Sequence, residues 1–409
     1  MNDPANIKRE LYVEQLKNYI DVPLVKVITG IRRSGKSALL ELFQENLLDV
    51  TDQEHIISIN FEDVAFDFIT DYKKLHAYVL SKMKDERKYY IFLDEIQNVE
   101  KWEKGVNSLR LRNTDIYITG SNSKLLSAEL STLLAGRYVE FRLHTLSLSE
   151  FITFRKEYGI GSDDIDNELS EYIRIGGFPV LSKGRFDYQT ARKIVADINS
   201  SAILRDVVQR NGVRNVNLLQ RIVSFIYDNV GNVTTAKSIS DHFKQERRSA
   251  DIETIHNYLQ YLEDALIINR VRRYDIRGKK LLETFEKYYL SEHALQYAVR
   301  EYNAGNITGI LENIVYLELL RRGFSVSVGK FDDKEVDFVA ERPDGRIYIQ
   351  VCYLFASEET IEREFSPLMK IRDSYPKLVV TMDKYWNVEK NGARGIHLKD
   401  FLLSEQKGL

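Results

Sequence analysis

Cysteine is nearly absent from this chain of 409 residues: Cys352 stands alone. A single thiol excludes an intramolecular disulfide and a thiolate zinc cluster, so a reducing compartment, the cytoplasm, is the expectation. Proline is scarce, at 6 residues, and no low-complexity tract or fixed-period repeat occurs, which excludes collagen-like, linker-rich and solenoid classes. No stretch approaches the roughly 20 apolar residues of a membrane-spanning helix. The opening residues MNDPANIKRELYVEQLKNYI are broken by charge every few positions and contain no apolar core of a secretion signal. A soluble, unexported protein without a membrane partner is expected. Charge of one sign is lacking too: the net charge is -3, so a nucleic-acid site would have to come from local clusters of Lys and Arg. What is present, 44% apolar and 29% charged residues, describes an ordered globular chain, long enough for two or three domains.

The chemistry begins near the amino end. Residues 24 to 30, LVKVITG, form a β-branched apolar run that stops at a glycine, and SALLELFQENLL follows with helical character. Between them GIRRSGKS, residues 30 to 37, fills every fixed position of G-x-x-x-x-G-K-[ST]. Such a loop turns its backbone N–H groups inward on phosphate. Gly30 and Gly35 permit the turn, Ser34 lies within it, Lys36 supplies a point charge, and Ser37 offers a hydroxyl to Mg²⁺ at a helix N-terminus. The expected ligands are a nucleoside triphosphate and magnesium.

Residues 89 to 95, YYIFLDE, read as a strand buried on both faces that ends in two carboxylates. Asp94 is the candidate metal ligand beside Ser37. Glu95 is the candidate base that polarises water for attack on the γ phosphate. The run DIYITGSNSKLL, 115 to 126, is strand-like through Thr119 and then turns polar. As a sensor strand between the other two it would present Asn122, or Ser121, to the phosphate or the water; the competing reading is that these residues cap the next helix. With HIISINF at 55 to 61 and YVEFRL at 138 to 143, five strands alternate with helical patterns, which predicts an α/β fold with a parallel sheet.

The glutamate after Asp94 and the sensor strand resemble the AAA+ branch of P-loop ATPases. More narrowly, DEIQNVEKWE, ITGSNSKLLS, LLAGRYVEFRLHTLSLSEF and IGGFP resemble a prokaryotic AAA family whose C-terminal half carries a winged helix and a nuclease-like domain. The resemblance runs nearly end to end; Thr145 stands where that family often has proline. It implies adenine as the base. It also implies a P-loop domain over 1–150, a helical lid over 151–210, a winged helix over 211–295 and a PD-(D/E)XK nuclease-like α/β domain of restriction-endonuclease type over 296–409. Arg137 becomes a candidate arginine finger reaching the γ phosphate of a neighbouring subunit in a homo-oligomer; pairing with surface carboxylates is its other reading. Arg205, in the lid, reads as a phosphate contact or as the partner of Asp206.

Between 213 and 290 the pattern gives three helices and a two-strand ribbon. Lys244, Arg247 and Arg248 precede the third helix, and Arg270, Arg272, Arg273, Arg277, Lys279 and Lys280 crowd the ribbon. Such clustering suits phosphate contacts on double-stranded DNA; a protein-docking module with a solvated basic ribbon is the alternative. In the last hundred residues, Glu312 on a helix and Asp337 on a strand match the nuclease pattern. Gln350 stands where a second carboxylate belongs, and Cys352 where the lysine belongs. A neutral amide and an uncharged thiol are poor replacements, so this site is expected to be degenerate and without cleavage chemistry. The expected activity is ATP hydrolysis coupled to the C-terminal half, against two alternatives, a slow nucleotide switch and a metal-dependent nuclease.

Overall fold

The computed structural model describes residues 9–122, 134–248, 250–299 and 307–404, with only the backbone at 283 and 284. They divide into two compact units. One runs to Thr145 and includes Asp264–Leu266; the other comprises Leu146–Glu263 and the chain from Ile267 onward.

In the first unit, helix α1 (Glu10–Lys17) precedes strand β1 (Val25–Thr29) and helix α2 (Lys36–Leu47). Then follow β2 (Ile56–Asn60), α3 (Tyr72–Lys82), β3 (Tyr89–Asp94), α4 (Trp102–Leu109), β4 (Thr114–Gly120) and β5 (Tyr138–Arg142). The sheet order is β2-β3-β4-β1-β5, every pair parallel. The five expected strands are these five. The order puts β4 between β1, which leads into Gly30, and β3, which ends in Asp94. Residues 123–133, where the helix after Asn122 would fall, lie outside the described residues.

Alternation along each strand serves both faces. Val27, Ile91, Leu93 and Ile118 pack with Leu75 and Val79 of α3 and Val106 of α4 on one side. Ile28, Phe92 and Tyr117 pack with Leu16 of α1 and Leu39 and Phe43 of α2 on the other. Phe43 is fully buried, a contribution of about 1.5–3 kcal/mol. A buried ion pair fastens the two central strands: the Lys26 ammonium of β1 meets the Asp115 carboxylate of β4 and donates to Val22 O at 2.8 Å, while Tyr117 Oη donates to Asp115 at 3.0 Å. Burial lowers the Lys26 pKa and Asp115 works against that. These added bonds are what make a buried pair tolerable.

The second unit opens with helices at Leu148–Glu157, Ile165–Ile175 and Tyr188–Ala202, the last running into a π-helical stretch, Ile203–Gln209, on which Arg205 is exposed. The IGGFP turn docks on residues 291–294: Gly177 N donates to Glu292 Oε1 at 3.1 Å, and a Cβ on Gly176 (φ +91°) would lie 2.3 Å from Ala294 Cβ. Next come a helix at Val216–Asp228, the short β6 (Val233–Thr234), helices at Ala236–Gln245 and Ile252–Asp264, and the hairpin β7 (Ile268–Asp275) and β8 (Lys280–Leu290). The long apolar helix Ile307–Arg321 leads to β9 (Ser325–Phe331), β10 (Lys334–Arg342) and β11 (Gly345–Cys352). Helix Glu358–Met369 and β12 (Lys377–Thr381), β13 (Glu389–Lys390) and β14 (Ala393–His397) follow, before a last short helix, Leu398–Leu403.

All nine of these strands share one mixed sheet, in the order β13-β14-β12-β11-β10-β9-β7-β8-β6. The junction is the parallel pairing of β7 with β9 at Arg273–Asp275 and Val328–Lys330. The basic ribbon is therefore continuous with the C-terminal sheet. Among the described residues no helix is long and apolar enough to cross a membrane.

Candidate nucleotide site and a buried ion cluster

Three strand ends build the first site. After β1, Gly30 (φ +157°) lies so close to β5's end that a Cβ would stand 2.4 Å from Leu143 O. Arg33 (φ +67°) and Gly35 (φ +98°) complete the turn, and Gly35 caps α2. A β-branched or bulky side chain would be strained at either glycine. Lys36 folds back under the loop, its Nζ donating to Gly30 O at 3.1 Å and Ile31 O at 3.4 Å. Ser34 is buried and its Oγ has no hydrogen-bond partner. An orphaned hydroxyl inside an amide-lined turn costs about 1–3 kcal/mol until something bonds it, and a phosphate oxygen is such a partner. Ser37 follows on the first turn of α2, half-buried.

Asp94 ends β3 and Glu95 turns away from it in the left-handed region (φ +54°). Thr119 of β4 holds both: its Oγ1 donates to Asp94 Oδ1 and accepts from Glu95 N, the latter at 2.9 Å. The Glu95 carboxylate accepts from Gln97 Nε2 and lies 3.8 Å from Lys36 Nζ. Burial raises the Glu95 pKa, with Lys36 opposing the shift. Ser121 and Asn122 follow β4, both buried. Glu62, after β2, pairs at 2.9 Å with Arg32 of the loop.

Lys36 thus lies against both the loop and Glu95, with Asp94 beside Glu95 at the end of β3. A hydroxyl at Ser37 and a carboxylate at Asp94 are hard oxygen donors of the kind Mg²⁺ prefers. Arg137 is elsewhere: its carbonyl accepts from Val25 N at the start of β1 (2.9 Å), and its guanidinium donates to Asn107 at 3.3 Å. The five residues of β1 separate its backbone by about 15 Å from the loop's end of the strand. Thr119 and Arg9 are the residues that motif reasoning misses. The Arg9 guanidinium, buried ahead of α1, donates to Ser34 O at 3.2 Å, His144 O at 2.9 Å and Thr145 O at 3.3 Å.

A second cluster lies in the second unit. Glu312, on the helix Ile307–Arg321, accepts from Tyr289 Oη at 3.1 Å and packs against Gly231, where a Cβ would lie 2.6 Å from Oε2. Asp337 of β10 accepts from Val351 N at 2.8 Å, and its own N–H donates to Gln350 Oε1 at 3.3 Å. Gln350 Nε2 donates to Glu364 at 3.2 Å. Into this group β8 sends Lys287: its Nζ is 2.6 Å from Glu335 and 3.9 Å from both Glu312 and Asp337. Burial raises both carboxyl pKa values, with Lys287 opposing. Cys352 bonds Leu354 O at 3.3 Å, and burial pushes its thiol up to about 12, so it supplies no charge. Among the described residues no three His, Cys, Asp or Glu side chains are arranged to hold a metal.

The five-stranded order, the glycine loop and the carboxylates at the end of β3 define an AAA-type P-loop ATPase fold, and residues 23–152 match the family model described as AAA domain. Residues 166–306 match a domain of unknown function (DUF8612). The chain is 40% identical over 402 residues to an uncharacterized protein of Haemophilus influenzae, covering 98% of this chain and 99% of that one, and it belongs to the same family. Uncharacterized protein MJ1544 of Methanocaldococcus jannaschii is 32% identical over 380 residues, covering 89% of this chain and 81% of that protein. Among solved structures, the Walker-type ATPase PABY2304 of Pyrococcus abyssi is 16% identical, with a TM-score of 0.47, over 72% of this chain and 95% of that one.

Proposed function

We propose that this protein binds and hydrolyses ATP with Mg²⁺, and that nucleotide state acts on the second unit. The observation that carries the reading is the meeting of Lys36 and Glu95 at 3.8 Å under a loop with an unsatisfied Ser34 hydroxyl. The loop amides and Ser34 hold the phosphates, and Lys36 exchanges its loop carbonyls for phosphate oxygens. Ser37 and Asp94 would hold Mg²⁺, which offsets charge on the phosphates. Glu95 accepts a proton from the attacking water, and Thr119 fixes where that carboxylate starts. Asn122 or Ser121, next to β4's end, orients water or γ phosphate. Arg137, remote from its own site, suits a finger offered to a neighbour in a homo-oligomer.

Glu95→Gln should lower turnover by about 100-fold or more while leaving ATP affinity intact. Lys36→Ala should lose affinity as well. A Glu95→Gln enzyme with undiminished turnover would remove this base; wild-type protein that retains nucleotide with turnover near zero would favour the switch instead.

For the second unit we propose a helical lid, a winged helix over 211–295 and a nuclease-like remainder without cleavage chemistry. Helix, short strand, two helices and hairpin in that order support the winged helix. The neutral Gln350 amide and the uncharged Cys352 thiol support the loss of chemistry; Lys287 brings a cation to Glu312 and Asp337 but leaves position 350 without a carboxylate. Contact with DNA is proposed through the exposed Arg247, Arg272, Lys279 and Lys280. The other cations are partly committed: Arg270 pairs with Glu263 at 3.0 Å, Arg277 with Asp332 at 2.6 Å, Lys244 with Asp241 at 3.1 Å and Arg248 with Glu246 at 3.9 Å, and the half-buried Arg273 lies 6.0 Å from the Phe285 ring centre.

A further inference from the structure

We infer that Arg9 is a positioning residue for the P-loop, and that through it nucleotide state is passed to residues 143–145, where the chain leaves the ATPase unit. The inference rests on the ATP-binding reading.

A guanidinium has its donors fixed in a plane, so three carbonyls that share it are held in one mutual arrangement. Arg9 shares it between Ser34 in the loop and His144 and Thr145 beyond β5. The clasp has independent support. Tyr12, one turn along α1, accepts the His144 N–H at 3.2 Å and carries the Arg9 guanidinium over its ring at 4.7 Å. On the far side of the loop, Leu143 N donates to Thr29 O at 2.8 Å, and Leu143 O closes against Gly30. Residues 143–145 therefore meet the loop directly at Gly30 and are tied to Ser34 through the Arg9 guanidinium. Thr145 ends the long first stretch of the first unit, and Leu146 begins the second.

Ser34 joins the two roles. Its Oγ is left for phosphate and its carbonyl is held by Arg9, so a ligand that draws the hydroxyl displaces a carbonyl tied to His144 and Thr145. Arginine here is a different choice from a lysine, whose single ammonium does not hold a planar fork.

Hydrogen exchange of the full chain, with and without ATP and Mg²⁺, tests this beside steady-state kinetics. In wild type, nucleotide should slow exchange both in the peptide covering 30–37 and in that covering 143–147. Arg9→Met should keep the first protection, lose the second, and lower kcat by about ten-fold or more with little change in KM. Should Arg9→Met fail to fold, Arg9→Lys replaces it under the same criteria, since it keeps the buried charge and loses the fork. Unchanged kcat together with unchanged protection at 143–147 in the variant overturns the inference, as does wild-type protection confined to 30–37. Absence of protection at 30–37 in wild type is a different result and strikes the ATP reading itself.

Discussion

Glu95 shows how a single side chain is prepared by its surroundings. Its backbone occupies the left-handed region, its N–H is held by Thr119, and its carboxylate stands near Lys36 in a buried pocket. The burial raises its pKa above the ordinary glutamate value and Lys36 only opposes the shift. A base works deprotonated, so activity must fall as pH drops through a pKa that lies above the usual carboxylate range. The acid limb of kcat/KM should accordingly fall at a higher pH than for a solvated glutamate; a limb in the ordinary range would mean that Glu95 titrates unperturbed in the free enzyme. Lys36, Asp94 and Glu95 could be singled out because the motif lies within short runs of sequence. Thr119 was not singled out, since it reads simply as the polar end of an apolar run; only the parallel register of β3 and β4 brings it to Asp94. Arg9 was illegible for a similar reason: its partners lie 25, 135 and 136 residues away.

At the level of elements, apolar runs marked the five strands of the first sheet and the helices and hairpin that follow, because each element's burial pattern is local. The pairing of β7 with β9 is not local, and nothing in either segment announces it. That pairing is what lets β8 deliver Lys287 to Glu312, Asp337 and Glu335. The C-terminal site looked degenerate at Gln350 and Cys352, where a carboxylate and a lysine were missing; the cation arrives from a strand some sixty residues earlier. Removing it by Lys287→Met leaves three carboxylates, two of them buried, without their counter-charge. A loss of about 3–5 kcal/mol is expected, read as a lower denaturant midpoint. A midpoint within experimental error of wild type would mean that the carboxyls protonate at no cost. No metal-dependent cleavage of DNA should accompany either form.

At the scale of the whole molecule, near-neutral charge and committed cations set a bound on nucleic-acid binding. The helix Ile252–Asp264 exposes Glu253, His256, Asn257 and Gln260, with no Lys or Arg among them. Phosphate contacts then fall to Arg247, Arg272, Lys279 and Lys280, the exposed cations of this group outside those ion pairs. At about -0.9 per contact, log affinity for duplex DNA against log salt should have a slope no steeper than roughly -4. A steeper slope would show that Arg248, Arg270, Arg273, Arg277 or Lys244 leaves its partner on binding. A slope near zero would instead favour a protein as the partner of this surface.

The shared strand pairing also says what can be cut from this protein. A fragment ended before Ser325 would strip β7 of its neighbour and bare the N–H and C=O groups of Arg273–Asp275 that β9 occupies. Such an edge invites another chain to add itself as the missing strand. The hairpin and the C-terminal sheet are thus parts of one fabric, and the second unit tears if divided there.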